Sequence, residues 1–95
     1  MLVHIVSFKY KADVTDAVRR DHRAKLKGLA GLTGVIELKV GEDIVRSQRS
    51  YDTGLLVKFP DRAALDAYAT NPQHVVVAQL GAFLAEHIVA VDFLE

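Results

Sequence analysis

The chain contains no cysteine, so no disulfide can staple it. Its 12 basic and 12 acidic residues leave a formal net charge of +0. That balance offers nucleic acid no electrostatic footprint, and no basic amphipathic helix points to a membrane surface. No apolar run approaches the roughly 20 residues of a spanning helix. The amino terminus enters an alternating apolar stretch directly and lacks the layout of a signal peptide. Internal repeats, linkers and low-complexity segments are missing. The four histidines, His4, His22, His74 and His87, show neither H-x-x-x-H spacing nor a neighbouring carboxylate pair, so neither a metal nor another cofactor is expected. These absences lead to the expectation of a soluble cytoplasmic protein without nucleic-acid or membrane partners.

What is present is apolar and patterned. Hydrophobic residues make up 51% of the 95 and charged residues 25%, the balance of a folded globule rather than a disordered chain. The length allows one domain, residues 1–95. A chain this short buries a modest core and gains from a partner.

Leu2–Tyr10 reads as a strand with Leu2, His4, Val6 and Phe8 on one face and Val3, Ile5 and Ser7 on the other. Both faces are mainly apolar, so both should be covered. His4 is the odd residue on its face, and a buried imidazole must satisfy two ring nitrogens. A backbone carbonyl is the expected partner. Asp13 or Thr15 can cap a helix. In that helix Val14, Val18, His22, Lys25, Leu26 and Leu29 form one stripe. Arg19, Arg20, Arg23 and Lys27 lie mostly off it and read as a solvated face. His22, in the middle of the stripe, either packs or lines a cavity. Gly28, Gly31 and Gly34 offer places to stop.

Val35–Val40 alternates as a second strand, with Ile36, Leu38 and Val40 on one side. Gly41–Asp52 is polar and reads as a loop. Arg46-Ser-Gln-Arg49 has no adjoining glycine-rich cradle, so it reads as solvated rather than as a phosphate site. Thr53–Phe59 is a third strand, with Leu55, Val57 and Phe59 sharing a face. Pro60-Asp61 ends it, and Asp61 caps the next helix. Val75–His87 is expected to be helical with Val76, Leu80, Phe83 and Leu84 inward, and Ile88–Leu94 to be the last strand.

Between the last two helical stretches lies Tyr68-Ala-Thr-Asn-Pro-Gln-His74. Pro72 has no backbone N–H and pushes Asn71 toward extended geometry. A helix through Ala63–Tyr68 should stop near Thr70, and another can start at Pro72. In one unbroken helix residues six apart differ by roughly 240°, so Tyr68 and His74 would point apart. With the break, both can converge on one cavity. A phenol and an imidazole can then polarise an oxygen and move a proton without metal or cofactor. The plainer alternative is that Tyr68 packs and His74 is an ordinary first-turn residue.

The order β-α-β-β-α-β, with its second helical segment split, is the ferredoxin-like α+β arrangement, with helices on one face of a four-stranded antiparallel sheet. The other face lacks cover within the chain, although the first and last strands are apolar on both sides. A large exposed apolar face is unusual on a monomer, and a two-fold homodimer is the simplest remedy.

Taken in order, several pieces resemble the stress-responsive A/B barrel (Dabb) domain family of dimeric α+β barrel proteins. They are Val3-His-Ile-Val-Ser-Phe-Lys9, Gly34-Val, Val40-Gly-Glu-Asp43, Asp52-Thr-Gly-Leu-Leu-Val-Lys-Phe59, Tyr68-x-x-Asn-Pro-x-His74 and Val91-Asp-Phe93. Essentially the whole chain is covered. The resemblance implies a homodimer whose sheets form a barrel, with a small-molecule pocket between sheet and helices. One plant branch of the family contains a polyketide cyclase, olivetolic acid cyclase, similar at the tyrosine, at the histidine of the signature segment and at the first-strand histidine. That likeness implies Tyr68 as carbonyl partner, His74 as general base and His4 as a pocket residue. His22 and Asn71 join His4 as candidate substrate-binding residues. Asn71 stands where many members carry histidine, and asparagine cannot titrate there. Three uses follow for a small apolar or aromatic ligand: a cofactor-independent lyase or cyclase, a cofactor-independent monooxygenase, or a non-catalytic stress-related binding dimer.

Overall fold

A computed structural model describes all 95 residues. Strand β1 is Leu2–Tyr10, helix α1 Asp16–Lys27 with a short 3-10 turn at Gly28–Gly31, β2 Glu37–Glu42, β3 Thr53–Phe59, α2 Arg62–Thr70, α3 Pro72–Leu84 and β4 Ala85–Leu94. The four strands form one antiparallel sheet in the order β2-β3-β1-β4, and the helices pack on one face. This is the ferredoxin-like α+β fold. No helix is long and apolar enough to cross a membrane.

Alternation in β1 and β3 sends Leu2, Val6, Phe8, Leu55, Val57 and Phe59 toward the helices, where they are buried with Leu26, Leu29 and Tyr68 in one core. The helix starts follow from capping chemistry. The Thr15 side chain accepts from the Val18 N–H, and the Asp61 carboxylate accepts from the Ala64 N–H at 2.9 Å. The break lies at Asn71-Pro72 as the proline requires. Asn71 is extended at ψ 128° and its side chain accepts from the Gln73 N–H at 2.9 Å.

Four expectations need correction. Strand β2 starts at Glu37 because the Val35 N–H is used in a turn to the Leu32 carbonyl, beside Gly34 at φ 89°. It runs on to Glu42, since Glu42 pairs with Thr53. Strand β4 starts at Ala85, ending α3 at Leu84. The β1–β4 ladder recruits Ala85 and His87 opposite Tyr10 and Lys9, with Glu86 left unpaired as an irregularity in β4. Helix α3 presents only part of the face expected: Leu80 and Leu84 turn inward as expected, joined by His74 and Gly81, while Val76 and Phe83 are 67% and 72% exposed. Gly81 explains the difference. A β-carbon there would lie 3.2 Å from His22 Nε2 and 3.3 Å from the Phe8 ring, so the helix approaches the core on its glycine. Finally, Arg19 and Arg23 are not solvated. They cross from α1 to the β2–β3 end of the sheet, where Arg23 donates to Thr53 Oγ1 at 3.2 Å and Arg19 lies 3.7 Å from Asp52.

The sheet face away from the helices carries Ile5, Leu56, Val89, Val91 and Phe93. The last three are about half exposed. Strand β4 forms one edge of the sheet, and nearly all of its residues are exposed on both faces.

Candidate functional site

Tyr68, on the last turns of α2, is 2% exposed, and its Oη has no hydrogen-bond partner. The Pro72 break turns the first turn of α3 back toward it. The His74 ring stands 4.3 Å from the Tyr68 ring, centroid to centroid. His74 Nδ1 is 3.1 Å from the Ala69 carbonyl oxygen. A carbonyl only accepts, so Nδ1 carries the hydrogen and Nε2 keeps a free lone pair. From β1, His4 brings its ring to 6.3 Å from Tyr68. His4 faces Asp92 across the β1–β4 ladder, and its Nδ1 is hydrogen-bonded to the Asp92 carboxylate. The partner of His4 is therefore a side chain and not the backbone carbonyl expected, because the register sets an inward acid directly opposite.

These three side chains share a cavity of about 250 Å³ between sheet and helices. Its other walls are apolar, among them Phe8, Leu26, Leu65 and Val77, with Ile88 and Ala90 of β4 on the open side. Burial pushes the Tyr68 phenol up to about 12, so it stays protonated and can only act there as a hydrogen-bonding hydroxyl. Burial also lowers His74. The Ala69 carbonyl partly opposes this, and the nearby His4 adds to the lowering. At neutral pH His74 is thus a neutral imidazole able to accept a proton.

The other two candidates lie elsewhere. Asn71 caps α3 and does not line the cavity. His22 is fully buried outside the cavity, with Nδ1 2.6 Å from Tyr10 Oη and its ring edge-on to Phe8 at 5.0 Å. Tyr10 Oη continues to Thr53 Oγ1 at 2.9 Å. Asp92 was missed by sequence reasoning. Its signal was an acid at an inward position of an otherwise apolar last strand, which pairing with β1 places opposite His4.

A second recess, of about 260 Å³, is lined only by charged residues of α1 and the β2–β3 end, including Arg19, Arg20, Arg23 and Arg46. Carboxylates answer most of these cations: Asp52 takes Arg46 at 2.8 Å and Glu42 takes Arg23 at 3.5 Å. This recess is a structural ion-pair network fastening the loop to α1.

Burial lowers His22 as it lowers His74, with Arg23 adding to the effect at His22. In the unfolded chain both would take up protons near the ordinary histidine value of about 6.5. The folded state resists protonation, so the unfolded state binds more protons in the window below that value. Stability therefore rises with pH through the window and is lost on acidification. The urea midpoint is expected to be lower at pH 5.5 than at pH 7.5; equal midpoints would contradict the burial of these two rings.

Fold and cavity together define a ferredoxin-like α+β protein with a largely apolar cavity between sheet and helices. The family model of the stress responsive A/B barrel domain, Dabb, matches residues 2–95, and the chain belongs to that family. No curated protein gives a significant match. Among solved structures, a dimeric ferredoxin-like protein of unknown function from Jannaschia sp. CCS1 is 31% identical, with 99% of this chain and 98% of that one covered at a TM-score of 0.83. The hydroxynitrile lyase from Passiflora edulis is 18% identical over 99% of this chain and 92% of that one, with a TM-score of 0.89. An antibiotic biosynthesis monooxygenase is 18% identical over 100% and 98%, at 0.80. The last two share the fold.

Proposed function

We propose that the protein is a homodimeric, cofactor-independent lyase or cyclase acting on a small, neutral, carbonyl-bearing molecule. One observation carries this reading: a buried phenolic hydroxyl without a partner forms part of an apolar cavity beside a neutral imidazole. A buried Tyr O–H needs an acceptor, and a ligand oxygen would supply it. His74 Nε2 would take a proton from the carbon next to the carbonyl. The electron pair left behind moves onto the carbonyl oxygen, where the Tyr68 hydroxyl donates to it. The enolate so formed attacks a second carbonyl in a cyclase, and the imidazolium returns its proton to the new alkoxide. In a lyase the same two groups serve the reverse cleavage. His4, oriented by Asp92, offers a second imidazole to a further oxygen of the ligand.

The homodimer rests on the uncovered apolar sheet face and on the dimeric state described for a relative. A non-catalytic carrier would use the same Tyr68 hydroxyl, and a monooxygenase would consume oxygen when substrate is added. Product formation from a neutral, linear polyketide-like substrate separates the first reading from both. Tyr68→Phe should lower turnover by about tenfold to a hundredfold, the effect of losing one hydrogen bond to a charged oxygen. Binding of candidate ligands without product at any pH would leave the carrier reading.

A further inference from the structure

Along β4 the lining of the cavity is exposed within the protomer. Ile88 lines the cavity yet is 42% exposed, and Ala90 beside it is also exposed. At the opposite edge of the sheet, the loop between β2 and β3 carries Ile44 and Val45, which are 90% and 72% exposed. That loop is firmly built. Arg46 sits at φ 55°, a left-handed conformation uncommon for arginine. Its N–H donates to the Asp43 carboxylate at 2.7 Å, and its guanidinium donates to the Tyr51 carbonyl at 3.2 Å and to Asp52 at 2.8 Å. A braced loop thus presents two large apolar side chains that are largely uncovered in their own protomer.

We infer that in the dimer Ile44 and Val45 of one copy close the open side of the other copy's cavity, beside Ile88. The inference rests on the homodimer proposed above, and the placing of loop and mouth on opposite edges of the sheet selects the occupant. A two-fold axis parallel to the strands, between two facing sheets, brings the β2 edge of one copy against the β4 edge of the other. The two edges then run antiparallel, since β2 is antiparallel to β3 while β3 and β4 share a direction. Both free edges are removed on both sides; an axis across the strands would also pair the edges, β2 with β2 and β4 with β4, but would leave the exposed loop and the cavity mouth on opposite edges. In this arrangement the end of β2, with its loop, meets the start of β4, where Phe83, Ile88 and the cavity mouth lie. The exposed loop tip and the uncovered mouth are brought together by the same rotation, twice, as an isologous contact requires.

The absence of cysteine makes the test clean. Within a protomer, β2 and β4 are separated by three strand spacings, about 14 Å, far beyond the roughly 7 Å limit for a disulfide. A disulfide in Val45→Cys/Ile88→Cys or in Ile44→Cys/Ile88→Cys must therefore join two copies. Mild oxidation should give a covalent dimer in at least one double variant and in neither single variant. Maleimide labelling of Ile88→Cys should also speed up by about tenfold, or about 1.4 kcal/mol of lost protection, when Ile44→Asp/Val45→Asp is added. Sedimentation separates the possible failures. A dimer that forms no such cross-link, that cross-links Val45→Cys to itself, or that labels at the same rate with and without the aspartates overturns the loop closure alone. A monomer at micromolar concentration overturns the closure together with the dimer.

Discussion

Replacing His74 by asparagine is expected to lower turnover by about a hundredfold to ten-thousandfold, the range for losing a positioned general base, with little change in stability. Asparagine keeps an N–H that can donate to the Ala69 carbonyl, the one hydrogen bond His74 makes, but has no basic nitrogen. His74→Ala removes both, and should lose the same activity while also loosening the start of α3. The pair separates chemistry from scaffolding. Turnover in wild type should fall toward acid pH through a value below the ordinary histidine one, because burial disfavours the imidazolium and only the neutral ring can accept a proton. Full activity in His74→Asn, with an unchanged acid limb, would remove His74 as the base.

Leu26→Ala should produce the largest loss of stability among the helix-face variants, about 2–5 kcal/mol. Leu26 is buried in the core under α1 and also forms part of the cavity wall, so truncation leaves a void next to an existing one. Arg20→Ala, on the exposed side of the same helix, should stay within roughly 0.5 kcal/mol. Denaturant midpoints measure the contrast directly. Equal midpoints would mean that α1 packs through another face.

The stripe of α1 was readable at His22, Leu26 and Leu29 because its apolar residues stand among charged ones, although Val18 and Lys25 remain exposed. Helix α3 has no such contrast. Val75, Val76, Val77, Leu80, Phe83 and Leu84 surround it, so hydrophobicity alone could not select the inward face. The selector is Gly81, whose missing side chain allows close approach, and a pattern of large apolar residues passes over it. Strands β1 and β3 alternate cleanly and were legible with their faces, whereas the ends of β2 and β4 depend on ladder partners far away in sequence. The site divides in the same way. Pro72 announces locally that Tyr68 and His74 can meet. The His4–Asp92 pair, two residues 88 positions apart, needs the register of the first and last strands. Arg19 and Arg23 looked solvated because their partners, Asp52, Thr53 and Glu42, come from another part of the chain.

The junction at Asn71 has a mechanical consequence. Its N–H donates to the Tyr68 carbonyl at 3.2 Å, its side chain accepts from the Gln73 N–H, and its carbonyl accepts from the Val75 N–H at 2.9 Å. One residue thus ties the end of α2 to the start of α3. The phenol and the imidazole are carried on this joined unit as if on one lever, while His4 and Asp92 are fixed in the sheet. Any shift of this unit over the sheet would keep the spacing between Tyr68 and His74 and change only the gap to His4.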